Sequence, residues 1–256
     1  MGRIICVMNQ KGGVGKTTTA INLGACFARA GYKTLLVDLD PQCNATSGLG
    51  LAPLERHPLV VEVSWSEAVL STAWGNLFLL PGGRSLNDVK TLTNVEQAQR
   101  LRLQLTSGLH AYDYVLIDSP PSISSLTKTA LECSTRILMP IQCEFFAMEG
   151  IAKMTALVPK EMWLSSGILL TMYDPTLELT TEVESEVRDY FGDFVYQTVI
   201  PRDVAVTEAS SFGKPVIDYA PRSHGARAYI ELCMEVLENE QEEEVGQGTA
   251  GSDENE

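Results

Sequence analysis

The sequence predicts an α/β fold, doubly wound, with a mostly parallel sheet and helices on both faces. Three observations predict it. Apolar runs at residues 4–8, 34–37, 114–117 and 137–141 are almost continuous, as strands covered on both faces are. Segments of helical length and pattern lie between such runs. The first run also passes through the glycine-rich turn Gly12-Gly13-Val14-Gly15 directly into a helical stretch, and strand–turn–helix is the unit from which such folds are wound.

In order, residues 3–8 read as the first strand and 16–30 as a helix ending at Gly31, the usual place for a left-handed closing residue. Residues 33–38 form the next strand. Residues 51–75 are uninformative, because Pro53, His57 and Pro58 break regularity; a short helix is expected at 66–70. A strand running into a turn follows at 76–83 and an amphipathic helix at 94–109. The strand at 112–118 ends on Asp118, ahead of Ser119-Pro120-Pro121. Beyond it come a strand at 136–142, a helix at 145–158, a strand at 167–174, a helix at 182–190, a strand at 195–200 and a closing helix at 219–237.

With 256 residues, 45% hydrophobic, and no internal linker rich in Pro, Gly or Ser, residues 1–238 are expected to form one domain. No apolar run approaches the roughly 20 residues that span a bilayer, and no signal-peptide pattern precedes the first strand. A cytoplasmic location is expected. The six cysteines form no C-x-x-C pair, which suits buried free thiols better than a metal or disulfide role. Net charge is −14, and residues 238–256 hold eight acidic residues and no basic one, which leaves the remainder at −6. Residues 239–256 are expected to be an acidic, disordered tail.

The turn at 12–15 carries the chemistry. Glycines let consecutive backbone N–H groups face inward, and the following helix adds its positive dipole end, so the stretch suits a polyphosphate. Lys16 can reach β- and γ-phosphates, and the Thr17 hydroxyl can coordinate Mg2+, with Thr18 next to it. The pattern G-x-x-x-x-G-K-[ST] is met in modified form: Gln10 or Lys11, depending on where counting begins, stands at the usual first glycine. Lys11 is an added lysine. Asp38 and Asp40 close the second strand at the carboxyl edge, where open α/β sheets place ligand loops. Asp38 is either a carboxylate of the ligand site or, as the plainer alternative, a helix cap or a carboxylate behind the site. Asp118, after four apolar residues, has the form of a group that holds Mg2+ through water.

Lys11-Gly12-Gly13-Val14-Gly15-Lys16-Thr17-Thr18 resembles the signature of the deviant Walker A P-loop ATPases. Val37-Asp38-Leu39-Asp40-Pro41-Gln42, Ile117-Asp118-Ser119-Pro120-Pro121, Pro140-Ile141-Gln142-Cys143-Glu144, Val199-Ile200-Pro201-Arg202 and Phe212-Gly213-Lys214-Pro215 narrow the resemblance to the ParA/Soj partition ATPases. It runs from about the first residue to Arg227. The resemblance implies ATP and Mg2+ as cofactors, an ATP-bound homodimer in which Lys11 reaches the partner's phosphates, and Asp40 as the carboxylate that orients the attacking water or sits near the metal. Gly12 is then expected to stay small beside the partner's loop. It implies an adenine site at Asp174, Pro201 and Arg202, with a packing or turn role as the alternative. It also implies a ParB-type protein that stimulates hydrolysis.

DNA contact is the expectation on which residues and resemblance diverge. Relatives often carry arginines where this chain has Thr176 and Ala205. The remaining DNA-contact candidates are Arg188, Lys214, Arg222 and Arg227, with solvated or ion-paired arginines as the alternative. Weak, salt-sensitive binding is expected, opposed by the acidic tail; a nucleoid location would follow from it. Positioning of a protein cargo is the second reading. A membrane switch of the MinD kind would need a basic amphipathic C-terminal helix, and the C-terminal segment is acidic.

Overall fold

The computed structural model describes residues 3–60, 65–89, 99, 103, 106, 109–158 and 160–250. From the amino end, β1 (Arg3–Val7) leads through α1 (Lys16–Arg29), β2 (Thr34–Asp38), α2 (Asn44–Gly48) and α3 (Trp65–Ala68) to β3 (Leu70–Ser71) and β4 (Leu77–Leu80). Next come β5 (Tyr114–Asp118), α4 (Ser125–Cys133), β6 (Arg136–Gln142), α5 (Ala147–Thr155) and β7 (Ser166–Tyr173). α6 (Glu178–Phe191), β8 (Ile200–Pro201), α7 (Val204–Ser211), α8 (Val216–Tyr219) and α9 (His224–Ala250) follow.

The sheet order is β3-β4-β2-β5-β1-β6-β7-β8. Every pairing is parallel except that of the short edge strand β3 with β4. Alternate strand residues therefore feed two separate cores. Ile5, Val7, Leu36, Tyr114 and Leu116 pack under α1 and α9, whereas Cys6, Val37, Val115, Ile117 and Met139 pack under α4, α5 and α6. All six cysteines are buried free thiols.

α9 is the longest element, and its direction matters. Its first turn lies beside α7, where the Gly225 N–H donates to Asp203 Oδ2 at 2.8 Å. Sixteen residues into it the buried Glu240 reaches the opposite edge of the sheet. There its carboxylate accepts from the Tyr114 hydroxyl and lies 2.9 Å from Arg3 Nε and 3.9 Å from Arg136 Nε. Those three residues begin β5, β1 and β6, so Glu240 clamps the helix across the amino ends of three strands. The domain boundary expected at 238 thus falls inside α9: Glu240 belongs to the packed domain, and the backbone stays helical to Ala250. Of the expected disordered tail, residues 251–256 lie outside the described residues.

Other boundaries moved for identifiable reasons. The strand expected at 195–200 survives only as β8 and a single bridge from Val195 to Ile168. The closing helix begins at His224 because Tyr219 belongs to α8 and Pro221 separates the two. The helix expected at 94–109 lies almost wholly outside the described residues. α2, α4 and α7 were not anticipated; two of them start at capping residues, with Ser124 accepting from the Thr127 N–H and Asp203 from the Ala205 N–H.

Candidate active site

The loop between β1 and α1 is shaped for an anion. Gly13 and Gly15 have φ of 76° and 91°, which residues bearing a Cβ rarely adopt, and these conformations turn the loop's amides inward. α1 starts directly after Gly15 with no side-chain cap and no acid in its first turn. Its leading N–H groups are left for a ligand. Asn9 stiffens the entrance: its Oδ1 accepts from the Lys11 N–H at 2.9 Å and its Nδ2 donates to Pro140 O at 2.7 Å. Thr171, buried in β7, donates its hydroxyl to Val14 O at 2.9 Å. Lys16 Nζ folds back to Lys11 O at 3.0 Å; burial lowers its pKa, against the pull of Asp118 and Asp40. Lys11 extends the other way, and its ammonium pairs with Glu144.

Three carboxylates gather under this loop. β2 and β5 pair in register, so Asp38 and Asp118 stand opposite each other at the carboxyl ends of adjacent strands. Thr17 Oγ1 donates to Asp118 Oδ2 at 2.8 Å, while Asp118 Oδ1 is buried without a partner. Burial, and then the nearby Asp38 charge, hold the Asp118 pKa well above the usual carboxylate range. Asp38 accepts from the Thr46 hydroxyl at 2.6 Å, the Thr46 N–H at 2.9 Å and the Asp40 N–H at 3.2 Å. Burial still raises its pKa to about 6. Asp38 thus holds the first turn of α2 through the Thr46 N–H, although Cys43 is the N-cap residue, and stands behind the loop opposite Asp118. Asp40 accepts from the Gln42 N–H at 2.9 Å and faces the cavity.

That cavity measures about 690 Å³. Lys16, Thr17 and Asp40 stand at one end, and Met172, Pro201 and Arg202 line it further along. Asp174 does not: its Oδ1 accepts from the Thr176 N–H and hydroxyl, at 3.0 and 2.6 Å, closing a turn beside the cavity. Among the adenine-site candidates, Pro201 and Arg202 are brought to the cavity and Asp174 is placed next to it. Asp203 and Ser210 on or beside α7 and Tyr229 on α9 also line the wall and escaped sequence reasoning. The signal available was Asp203 ahead of Val204-Ala205-Val206, an N-cap pattern. Met172 owes its place to a left-handed φ of 53° and a bulge in the β7–β8 pairing, neither of which a sequence displays.

The four DNA-contact candidates separate into two kinds. Arg188 is committed inside the fold, donating to Glu184 Oε1 at 2.9 Å, Tyr196 O at 3.1 Å and Gln197 O at 3.2 Å. Lys214, Arg222 and Arg227 are exposed around α8 and the start of α9 and have no ion-pair partner among the described residues.

A phosphate-shaped loop at a helix N-terminus, a buried lysine and strand-end acids on a parallel sheet define a P-loop nucleotide-binding protein. The comparisons agree. A family model described as an AAA domain matches residues 2–162. The sporulation initiation inhibitor protein Soj of Bacillus subtilis is 43% identical over 252 residues, covering 93% of this chain and 100% of that protein. The chromosome partitioning protein ParA of Caulobacter vibrioides is 39% identical over 260 residues, covering 95% and 97%. A Mycobacterium smegmatis structure described as cobyrinic acid a,c-diamide synthase with bound ADP and magnesium superposes with a TM-score of 0.78, at 30% identity and with 94% and 96% of the two chains covered. The chain belongs to the ParA/Soj family of chromosome-partitioning ATPases.

Proposed function

We propose that the chain is an ATP-hydrolysing switch that dimerises on ATP and acts in chromosome or plasmid DNA partition with a ParB-type partner. The observation that carries this is the convergence of Lys16, Thr17 and Asp40 on one cavity beneath the glycine loop, with Asp118 held behind it by the Thr17 hydroxyl. Among the described residues, no group of three or more His, Cys, Asp or Glu side chains is arranged to hold a metal on its own. A buried Asp118 oxygen without a partner, beside the Thr17 hydroxyl, nevertheless suits Mg2+ bound jointly with nucleotide phosphates. The ion would neutralise phosphate charge as the γ-phosphate leaves. Lys16 and the loop amides bind and neutralise the triphosphate, and Asp40 orients the water that attacks it. Met172, Pro201 and Arg202, at the carboxyl ends of β7 and β8, hold the base, and Asp174 sets the turn beside them.

Lys11 supplies the second cation by crossing to the partner's nucleotide. Its pairing with Glu144 is an exposed ion pair, with side-chain exposures of 51% and 45%, of a kind that contributes about 0–1 kcal/mol. That is too little to hold Lys11 back once phosphates are offered. The switch is tested by light scattering and phosphate release with Mg2+ and ATP. Lys11→Ala should stay monomeric, whereas Asp40→Ala should dimerise but hydrolyse more slowly by on the order of 10². An ATP-dimerising Lys11→Ala protein, or normal turnover by Asp40→Ala, would overturn these roles.

One observation favours the cargo-positioning reading. Arg188 is committed within the fold, so with Thr176 and Ala205 in place of arginines the cationic face rests on Lys214, Arg222 and Arg227. A DNA titration with ATP at low and moderate salt decides between the readings. Salt-sensitive binding weakened by Arg222→Glu supports partition on DNA, and no binding at low salt supports a protein cargo.

A further inference from the structure

The amino-terminal edge of the sheet, opposite the nucleotide cavity, carries a second cleft of about 780 Å³. Its floor is the start of β6 and β7 and the ring of Tyr196. A Cβ at Gly167 would fall 2.2 Å from that ring, so the ring lies directly on the strand, where only glycine admits it. On the rim stand Leu164 and Tyr190, 83% and 75% exposed. Two large apolar side chains so exposed at one concave site are a feature of contact surfaces more than of solvated ones.

The charge around the cleft narrows what could cover it. Asp189, Asp193 and Glu235 line it. Glu235 is already occupied by the N–H groups of Gln197 and Thr198, but Asp189 and Asp193 have no ion-pair partner among the described residues. The cation in the cleft, Arg136, lies on Glu240 and Tyr196. Residues 251–256 bring only Asp253, Glu254 and Glu256 and would be repelled. A second copy meeting this face by two-fold symmetry would set the same acids against each other. A nucleic acid is excluded on the same ground.

We infer that this cleft docks a cationic segment of another protein. An apolar side chain of that segment enters between Leu164 and Tyr190 onto the Tyr196 ring, and flanking Lys or Arg pair with Asp189 and Asp193. The surface is separate from the nucleotide site and stands whether or not the partition reading does.

The test uses the full chain, immobilised, and a displayed library of random peptides about a dozen residues long. Selected peptides are then titrated by fluorescence anisotropy. Enrichment of Lys- or Arg-rich peptides with an apolar anchor is expected, with affinity at least tenfold lower for Leu164→Ser/Tyr190→Ser and for Asp189→Lys/Asp193→Lys. ATP binding, unchanged in both variants, shows that they fold. Three results would overturn the inference: no enrichment, enrichment of neutral or acidic peptides, or equal binding by parent and variants, which would place cationic peptides on the acidic C-terminal segment. Self-association of the parent that Leu164→Ser abolishes would overturn it too, in favour of a second copy.

Discussion

Replacing Thr171 by Val tests how the phosphate loop is held. Thr171 is 2% exposed, its hydroxyl donates to Val14 O at 2.9 Å, and its methyl lies 3.8 Å from where a Cβ on Gly15 would stand. Valine keeps the shape and removes the donor, so a buried carbonyl at the centre of the loop loses its partner. Leaving such a group unsatisfied costs about 1–3 kcal/mol. If the loop stays in place, that cost appears as lower global stability. If it relaxes locally, the cost moves into nucleotide binding, where about 1.4 kcal/mol is tenfold, so ATP affinity falls by roughly 5- to 150-fold. Calorimetric titration of ATP, with thermal unfolding on the same samples, measures both, and Thr171→Ser should recover most of the loss. A Val variant that matches the parent in affinity and melting would refute the claim that this bond supports the loop.

Glu240→Ala removes a buried carboxylate that Tyr114, Arg3 and Arg136 all face. Breaking such a cluster costs about 3–5 kcal/mol, so chemical denaturation should show a large loss; a change within about 0.5 kcal/mol would mean that the clamp is idle. The pH dependence has a definite sign. A carboxyl whose folded pKa is raised binds its proton more tightly in the native state, so Asp38, at about 6, and Asp118, also raised, add stability to the nucleotide-free protein as pH falls, whereas buried His57, lowered to about 3, removes stability over the same range. Asp38 alone contributes about 1 kcal/mol between about pH 7.5 and 5.5. His57→Phe removes the opposing group, so its denaturation midpoint should rise as pH falls over this window, and a midpoint that drops in that variant would contradict the burial argument.

The parallel sheet was legible because its strands are buried on both faces and read as unbroken apolar runs. The loop was legible because glycines and Lys16-Thr17 leave few alternatives. Asp118 and Asp40 were found from their places after strands, and the register of β2 with β5 then explained what the sequence could not: that Asp38 and Asp118 share one buried charge problem. What stayed hidden depends on long-range packing. The Lys11–Glu144 pair joins residues 133 apart, and the Arg188 contacts depend on the main chain of Tyr196 and Gln197. Residues 239–250 looked like a solvated tail from charge alone, because nothing in the local pattern shows that Glu240 meets three strand starts.

That helix also sorts the molecule's charge in space. Tyr229 lines the nucleotide cavity and Glu240 sits at the opposite edge, a rise of roughly 16 Å along the axis, with Ala250 roughly 32 Å from Tyr229. The Debye length in physiological salt is about 8 Å, so the Glu240 charge is screened from anything docked at Lys214, Arg222 or Arg227. Arg227 and Glu240, on one helix, are thus electrically independent of each other.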